Sequence, residues 1–574
     1  MVAPLSDIVK VQITVQSGGG GQTLNLVPLI LDHQNVLGTL MYTGLLTGVI
    51  TPVIQEYSSV AEMLADGFKP WHYAVKLAKT IFAQDKHPNS IKVAGWNSGH
   101  NIGDTLTAIE MADPNWFTLL LTLRSSASDT EMKVNDAADW CLSTAEQRHV
   151  LVFEETQAEA KSTAANLFSI LHGDENDRAM GVYNPSRPQY KKLTFSRDLI
   201  ANNSVNMQVN GVNIGSTVYA VSHASTMAVI ATALKGVSNG AISAASVLAS
   251  GYDIIVKASD PMVDLTFNTV VLADGVSPAI TGGASQPTIA VSDCDVQVLR
   301  LTFSAALVAL NQVDITVSGH PILPVVYAGD SDTTLAAVAT ALAALPGVGF
   351  ADVIEVSAGV DNDRVIEVAA WDSSTILRVT SAAVTLGVSQ PTITIEKVST
   401  TGVEPDDGCW VGRCASAEPG TLDWANKKLK LAEPAELTTS ERSAILNNNG
   451  NFYANFGGYK ATRLGRMASG LTMQNRVLVD ALHIEIQTAV ADALTTPDFV
   501  PYMDTGIATI GAAVEGPLQK YKVRGALASY TLSLPARVDV APADVTAGLL
   551  RNVKFNAISA GTIQTVEIEG TLQV

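Results

Sequence analysis

The sequence predicts a multidomain protein of the α/β (α+β) class, with a discontinuous core built from its N- and C-terminal parts and two tandem repeated α+β modules inserted between them. Three observations lead to this prediction. Helix and strand patterns alternate over residues 25–203, which is typical of an α/β layer. Aromatic and charged residues thin out between about Ser204 and Ser399 and return after Gly408. The interval between them contains an internal repeat, which indicates a duplicated module.

The composition favours a chain that assembles with other chains. Its 574 residues are too many for one hydrophobic core. Only 16% of them are charged, against about 25% in an average globular protein. Such a low charge density indicates surface that is buried against other chains, with a large Ala- and Val-rich fold as the alternative. Acidic residues outnumber basic ones, 55 to 36, and no Lys/Arg-rich run is present, which argues against a nucleic-acid partner.

No targeting or membrane segment is predicted. The first residues, MVAPLSDIVKV, lack the charged and apolar regions of a signal peptide. Residues 24–54 are apolar but are interrupted by Asp32, His33, Gln34 and three glycines, so they do not read as a membrane span. We therefore expect a protein that is made in a cytoplasm and does not insert into a membrane.

The first segment, residues 1–24, predicts a strand followed by a glycine linker. In residues 8–15, IVKVQITV, one face of the strand is apolar, and it is formed by Val9, Val11, Ile13 and Val15. The linker contains Gly18, Gly19, Gly20 and Gly21. A strand on such a tether can pair with the sheet of a neighbouring molecule. A first strand joined by an ordinary flexible turn is the alternative that this segment leaves open.

Residues 25–203 predict the first part of the α/β core. The predicted helices are at 58–67, 71–84, 129–146 and 162–172, and the predicted strands at 90–95, 116–123, 149–154 and 178–183.

The repeat lies between the two parts of the core. Residues 209–234 align without gaps on residues 317–342, an offset of 108, and 12 of the 26 positions are identical; chance would give roughly two. The pentapeptide SQPTI occurs at 285–289 and again at 389–393, an offset of 104. The predicted modules are residues 204–293 and 294–400, each with strands around one helix, at 225–235 and at 333–344. Two tandem modules inside a resumed α/β layer read as an insertion that projects from the surface.

Residues 401–560 predict the second part of the core. Residues 436–441, ELTTSE, predict a Thr or Ser cap, followed by a helix through Leu446. Closely spaced glycines from 450 to 470 favour a sharply turning hairpin or a close approach of backbones. A long helix follows, with a stripe formed by Val477, Ala481, Ile484, Thr488, Ala491 and Leu494. Alternating residues at 530–534, 538–540 and 553–555 predict strands, and residues 561–574 predict a terminal strand with Val566, Ile568, Leu572 and Val574 on one face.

The two parts of the predicted core carry motifs in an order that resembles the contractile tail sheath proteins of myophages. The matching residues are Val60 to Leu64 with Gly67-Phe68, Ile81 to Gln84, Ile91 to Gly95, Gly412-Arg413, Pro419-Gly420, Trp424, Asn451 to Ala454, Gly457-Gly458 and Asp504 to Ile507. The resemblance covers about residues 30–190 and 408–574. It does not extend to the repeated insert.

This resemblance implies a structural subunit of a virion, assembled in the host cytoplasm. Copies of the chain would polymerise helically around a tail tube as stacked rings, expected to be hexameric, and contraction would drive the tube through the host envelope. It implies that terminal strands, carrying Val9 to Val15 and Val566 to Leu572, are exchanged between subunits, with Gly18 to Gly21 as the hinge. The implied partners are further copies of the chain, a tail tube protein, and baseplate and tail terminator proteins.

No arrangement of residues predicts catalysis, a cofactor or a metal. The sequence Gly236-Val237-Ser238-Asn239-Gly240 matches a nucleophile elbow but follows a predicted helix, whereas the elbow needs a strand before it. Asp330, Asp332, Asp361 and Asp363 lack EF-hand spacing, and we expect solvated turns there. The loop around His100 lacks the glycine order of a nucleotide-binding loop. We therefore do not expect an enzyme.

The four cysteines are too few for a disulfide scaffold in a chain of this length. We expect free or buried thiols. One alternative is that exposed thiols among Cys294, Cys409 and Cys414 cross-link adjacent subunits outside the reducing cell.

Two rival functions remain open at this point. The first is a surface-exposed, host-binding adhesin, which lacks a secretion signal. The second is an α/β enzyme decorated by a repeat, which lacks a convergent acid, base and nucleophile.

Overall fold

The computed structural model divides the chain into two units, one of them inserted into the sequence of the other. Unit 1 comprises residues 1–185 and 404–574, and unit 2 comprises residues 186–403. The residues described are 24, 26–37, 39–41, 50–97, 100–123, 128–143, 149–156, 158–162, 165–185, 189–201, 203–238, 241–250, 252–259, 265–274, 287–293, 297–354, 365–370, 376–398 and 404–564. In unit 1 the side-chain Nδ2 of Asn184 donates to the backbone carbonyl of Glu404 at 3.0 Å, so the two points where the insertion leaves and re-enters are adjacent.

The N-terminal part of unit 1 alternates strands and helices as the sequence predicts. Its strands are β1 (Pro28–Asp32), β2 (Thr39–Met41), β3 (Ile50–Pro52), β4 (Ile54–Tyr57), β5 (Ile91–Gly95), β6 (Thr118–Leu121), β7 (Val150–Glu155) and β8 (Ala179–Tyr183). Its helices are α1 (Val60–Ala65), α2 (Tyr73–Phe82), α3 (Ile102–Ala112), α4 (Ser128–Ser143) and α5 (Leu167–Gly173). Helix α3 is an addition to the prediction: the side chain of Asn101 accepts from the amide of Asp104 and so caps a helix directly after the glycine-rich loop.

Unit 2 consists of two successive sets of elements. The first set is β9 (Tyr190–Phe195), β10 (Asn203–Val209), β11 (Val212–Asn213), β12 (Thr217–Val218), α6 (His223–Lys235), β13 (Ile242–Ser250), β14 (Asp253–Ala258), β15 (Phe267–Asp274) and β16 (Ile289–Asp293). The second set is β17 (Val298–Phe303), β18 (Gln312–Val317), β19 (His320–Pro321), β20 (Val325–Val326), α7 (Ser331–Ala343), β21 (Val348–Ile354), β22 (Val365–Ala370), β23 (Val379–Thr385) and β24 (Ile393–Val398).

The strands of the two sets pair in the same order. Strand β10 pairs with β11, β12 and β15, and β18 pairs with β19, β20 and β23. The remaining strands form the sheets β13-β14-β9-β16 and β21-β22-β17-β24. Equivalent side chains also make equivalent bonds: Gln189 accepts from the amide of Leu265, and Gln297 accepts from that of Leu377.

The boundary of the insertion differs from the predicted one. The sequence placed residues up to 203 in the core, because the composition changes there. Strand β9 instead pairs with β14 and β16 of unit 2, with Leu193 opposite Ile254 and Val291. The insertion therefore begins after Pro185.

The C-terminal part of unit 1 begins with helices and ends with a two-stranded sheet. Its elements are α8 (Asp406–Cys414), α9 (Thr439–Asn447), β25 (Asn451–Phe456), β26 (Tyr459–Arg463), α10 (Met473–Thr495), α11 (Asp504–Val523), β27 (Leu527–Ser533), α12 (Pro542–Thr546) and β28 (Lys554–Ser559). Three predictions are confirmed: the capped helix α9, whose cap is Thr438 in a capping box with Glu441, the long helix α10, and a hairpin in the glycine-rich stretch. The hairpin turns at Gly457 and Gly458, which have φ values of 61° and 96°. The predicted strand at 538–540 is wrong, because Arg537–Asp539 forms a turn of 3₁₀ helix.

Both parts of unit 1 share one eight-stranded sheet, in the order β26-β25-β8-β7-β6-β1-β5-β4. Strand β25 joins the sheet in parallel beside β8, with Asn451 opposite Val182. The core on one side of this sheet contains Leu119, Leu151 and Phe452, all almost fully buried. The prediction of a discontinuous core built from both ends of the chain is therefore confirmed.

Candidate assembly surface

The two-stranded sheet of unit 1 offers unpaired backbone. Strands β27 and β28 are antiparallel, with Tyr530 opposite Ala557 and Leu532 opposite Phe555. Within the described part of the chain, neither strand pairs with a further strand on its outer side. Each outer edge therefore presents a row of backbone N–H and C=O groups that another strand can pair with.

One face of this sheet rests on helix α11 and the other faces solvent. Leu527 is buried, and Tyr530, Leu532 and Phe555 are half-buried against the cluster formed by α10 and α11. On the opposite face Thr531 is exposed. Two strands alone leave the inner face only partly covered, and an isolated two-stranded sheet is marginally stable. Further strands would extend the sheet and cover the flanks of this face.

Helices α10 and α11 form the support for the sheet. Leu478, Leu482 and Ile486 of α10 belong to one buried cluster with Val514 and Leu518 of α11. At the edge of this cluster Glu485 accepts from Lys520 at 2.6 Å and from the hydroxyl of Tyr521 at 2.8 Å. Burial and the bond to Glu485 raise the pKa of Tyr521, so the hydroxyl keeps its proton.

A buried ion network joins α10 to the N-terminal part of the chain. The carboxylate of Asp480 accepts from Arg178 at 2.6 and 3.2 Å and from Arg476 at 2.7 Å. Arg476 also donates to Asp177 at 2.7 Å. Burial alone would raise the pKa of Asp480, but the charges and hydrogen bonds of the two arginines outweigh it and hold the pKa below its ordinary value. Because Asp177 and Arg178 directly precede β8, these ion pairs fix the helix to the large sheet.

The described residues nearest both termini lie beside the same helix. Leu24 packs against the cluster of α10 and α11, and Leu26 lines a small pocket together with Gln474 of α10. At the other terminus Ser559, the last residue of β28, donates to the side chain of Asn475 at 2.8 Å. Gln564 follows and donates to Asp423 at 3.1 Å. The described residues nearest to the two termini therefore both adjoin the helices that support the two-stranded sheet.

Most of the predicted site residues lie outside the described part of the chain. These are Val9, Val11, Ile13, Val15, Gly18, Gly19, Gly20, Gly21, Val566, Ile568, Leu572 and Cys294. Strand exchange and the glycine hinge therefore stay predictions.

The structure argues against two of the predicted cross-linking thiols. Cys409 and Cys414 are 0% and 2% exposed. Burial raises the pKa of Cys409 well above its ordinary value and that of Cys414 to about 12. A buried, protonated thiol is a poor nucleophile and is not placed to reach a neighbouring chain. Cys141 is buried in the same way.

The structure shows the surroundings of two other motifs of the sequence, the segment around Ser238 and the carboxylate Asp330. Gly236 caps the end of α6, so the segment with Ser238 follows a helix, as predicted. Asp330 caps the start of α7 and accepts from the amide of Thr333 at 2.7 Å. Among the described residues, no three His, Cys, Asp or Glu side chains are grouped as a metal site requires. In the same part of the chain, every helix is too short or too polar to cross a bilayer.

Sequence reasoning predicted strands at 530–534 and 553–555 but did not show that they pair with each other in a separate two-stranded sheet. It also missed α11, although Ile507, Ile510, Val514, Leu518 and Tyr521 follow the spacing of one helix face. Pro517 and three glycines hid this signal.

Comparison with known proteins does not assign the chain to a family. No protein-family model and no curated protein sequence matches the chain. One structural likeness is to the cryo-EM structure of the anti-feeding prophage baseplate, with a TM-score of 0.25 and 13% identity. It covers 30% of this chain and about half, 51%, of that chain.

Proposed function

We propose that this protein is the structural subunit of a contractile tail sheath, which polymerises helically around a tail tube and contracts to drive the tube through a host envelope. The observation that carries the proposal is the two-stranded sheet with free edges, mounted on α10 and α11 beside the places where both terminal segments adjoin unit 1. The motif resemblance of residues 30–190 and 408–574 supports it. The protein is then a component of a particle and not an enzyme.

The assembly follows from head-to-tail contacts. A subunit that donates strands to one neighbour and accepts them from another forms a heterologous interface, and such an interface generates a helix when its rotation does not close. Backbone hydrogen bonds of the added strands keep neighbours joined while the subunit bodies move. Gly18 to Gly21 supply the change of backbone direction, because glycine adopts conformations that other residues avoid.

Contraction requires two packings of the same subunits, of which the extended one is metastable. In this proposal the ion network of Asp480 and the packing of α10 on α11 keep each accepting sheet rigid during the change. The partners are further copies of this chain, a tail tube protein, and baseplate and tail terminator proteins.

Variants of the first strand test the proposal. Val11→Asp with Ile13→Asp charges the apolar face of residues 8–15, and we expect folded monomers that do not form tubes in electron microscopy or sedimentation. The matched control is the double variant Lys10→Asp with Gln12→Asp, which places two carboxylates on the opposite face of the same strand. This control variant should form tubes. Deletion of residues 1–16, or of 565–574, should likewise leave folded monomers. Tubes of normal length from both deletions would overturn the exchange of strands.

A further inference from the structure

The connection between β27 and β28 carries an ordered apolar surface. It comprises residues 534–553, with the 3₁₀ turn Arg537–Asp539 and helix α12. Together with the loop between α10 and α11 it exposes four large apolar side chains, which we call the apolar cap: Phe499, Met503, Val538 and Leu549.

The side chains of the apolar cap are unusually exposed. Phe499 is 75% exposed, Met503 63%, Val538 87% and Leu549 42%. Scattered apolar residues are normal on a protein surface, but a group of them with a polar rim marks an interaction site.

Tyr502 and Arg537 hold the apolar cap in place. The hydroxyl of Tyr502 donates to the carbonyl of Leu549 at 2.9 Å. The Nε of Arg537 donates to the carbonyl of Tyr502 at 3.0 Å, and its guanidinium lies 5.6 Å from the centre of the Tyr502 ring. The amide of Arg537 donates to Asp504 at 2.7 Å. The surface is therefore ordered before any partner arrives, which lowers the entropic cost of binding.

The apolar cap begins where the free edge of β27 ends. Leu534 is the first residue after β27, and its side chain lies over Gly511 of α11, where a Cβ would be only 2.4 Å from Leu534 Cδ1. Val538 follows four residues later. A strand that pairs with β27 and extends beyond its C-terminal end therefore arrives at the cap.

The length and polarity of the N-terminal segment fit this position. β27 has seven residues, which cover about 23 Å at roughly 3.3 Å per residue. The eight residues 8–15 match this length. In an antiparallel pair with β27, residues 1–7 would continue past its C-terminal end. Their sequence, MVAPLSD, is mostly apolar.

We propose that residues 1–7 of a neighbouring copy cover the apolar cap while residues 8–15 of that copy pair with the free edge of β27 in antiparallel orientation. Met1, Val2 and Leu5 then contact Phe499 and Val538, and the buried apolar area strengthens the contact between subunits. This proposal rests on the proposed function, because it requires exchange of the first strand.

Cysteine cross-linking in assembled full-length protein tests the position and the direction of the strand. The variant for this test carries Leu5→Cys, Val538→Cys and Cys294→Ser. The native thiols that the structure describes, Cys141, Cys409 and Cys414, are buried and should not react. Oxidation should give a ladder of covalent multimers on a non-reducing gel. The control replaces Val538→Cys by Val523→Cys, because Val523 is 76% exposed and precedes the opposite end of β27. A ladder from the Val523 pair in place of the Val538 pair would overturn the proposal.

Assembly of cap variants is the second test. Phe499→Ser with Val538→Ser should raise the critical concentration for tube formation by roughly tenfold or more, since two large apolar contacts are lost. Val523→Ser, an equally exposed apolar residue away from the cap, should leave it unchanged. If the cap variant forms tubes at the critical concentration of the wild type, the cap has no role in the contact between subunits. This holds also if the cap variant assembles normally but no longer binds a tail tube, because the cap would then contact the tube and not residues 1–7.

The two proposals fail in different ways. If wild-type protein forms no tubes, the proposed function is wrong. If tubes form without residues 1–16, exchange of the first strand is wrong, and the inference about the cap fails with it. If tubes depend on residues 1–16 but the Leu5 and Val538 cysteines do not cross-link and the cap variant assembles normally, only the inference about the cap is wrong.

Discussion

Replacing Asp480 with asparagine removes one negative charge from a buried position where two guanidinium groups meet. The carboxylate accepts three charge-assisted bonds, at 2.6 and 3.2 Å from Arg178 and at 2.7 Å from Arg476. An asparagine keeps one acceptor oxygen and turns an NH₂ group toward these donors. The two buried arginines then lose the carboxylate that both of them contact. Leaving a buried charge uncompensated costs about 3–5 kcal/mol.

Urea unfolding followed by tryptophan fluorescence measures this cost in unit 1. Six of the seven tryptophans lie in unit 1, so a Trp371→Phe background makes the signal specific for that unit. With an m-value of about 3 kcal/mol/M, a loss of this size lowers the midpoint by about 1–1.7 M urea. Asp492→Asn is the control, because Asp492 is an exposed carboxylate on the same helix, and its midpoint should stay close to that of the background.

The double variant Arg178→Met with Asp480→Leu separates the lost charge from the lost shape. It leaves Arg476 its bond to Asp177, so fewer charges are uncompensated and the loss should be smaller than for Asp480→Asn. Equal midpoints for Asp480→Asn and Asp492→Asn would refute the reasoning, because the network would then contribute nothing that an exposed carboxylate does not.

Three further predictions follow from other contacts. Folding holds the pKa of Asp480 below the ordinary value of 3.8. The carboxylate should therefore stabilise the protein at pH values above 3.8 and lose this effect as the pH falls through the folded pKa. The urea midpoints of wild type and Asp480→Asn should converge only below about pH 4. In unit 2, the carboxylate of Glu367 is fully buried, is hydrogen-bonded to Tyr190, and lies 2.8 Å from Arg300 and 3.5 Å from Lys257. Glu367→Ala should therefore lower the stability of unit 2 by about 3–5 kcal/mol. Hydrogen exchange in β9, β17 and β22 should become at least tenfold faster, and unchanged exchange would contradict the prediction. Gly511→Ala should lose the gain of up to about 1 kcal/mol that alanine brings to a helix, because the new Cβ would meet Leu534 Cδ1 at 2.4 Å and the end of that exposed side chain would have to move. Gly516→Ala on the same helix meets nothing within 4 Å and should keep that gain. Equal midpoints for the two alanine variants would count against the contact.

Local patterns in the sequence were sufficient where one element carries its own signal. The stripe from Val477 to Leu494 predicts α10, and the Thr or Ser cap within residues 436–441 predicts the start of α9. Helix α11 lacks such a clear signal because Pro517 stands within it, and proline in a helix interior normally breaks the helix.

Contacts between distant residues could not be predicted in this way. Strand β9 reads as part of the core until its pairing with β14 is known. Arg178 and Asp480 meet although 302 positions separate them, and no local pattern marks either residue as a partner. The free edges of β27 and β28 are likewise a property of the sheet, since they depend on which strands are absent beside them in the described chain.

The adjacency of Asn184 and Glu404 has a consequence for the order in which the protein folds. Strand β8 leaves the ribosome before unit 2, and its neighbour β25 follows only after the whole of unit 2 has been made. Domains generally fold as units during synthesis, the earliest first. Unit 2 can therefore complete its own sheets while the N-terminal part of unit 1 still has an open edge at β8. The nascent chain therefore carries that unpaired edge for the time needed to synthesise residues 186–403.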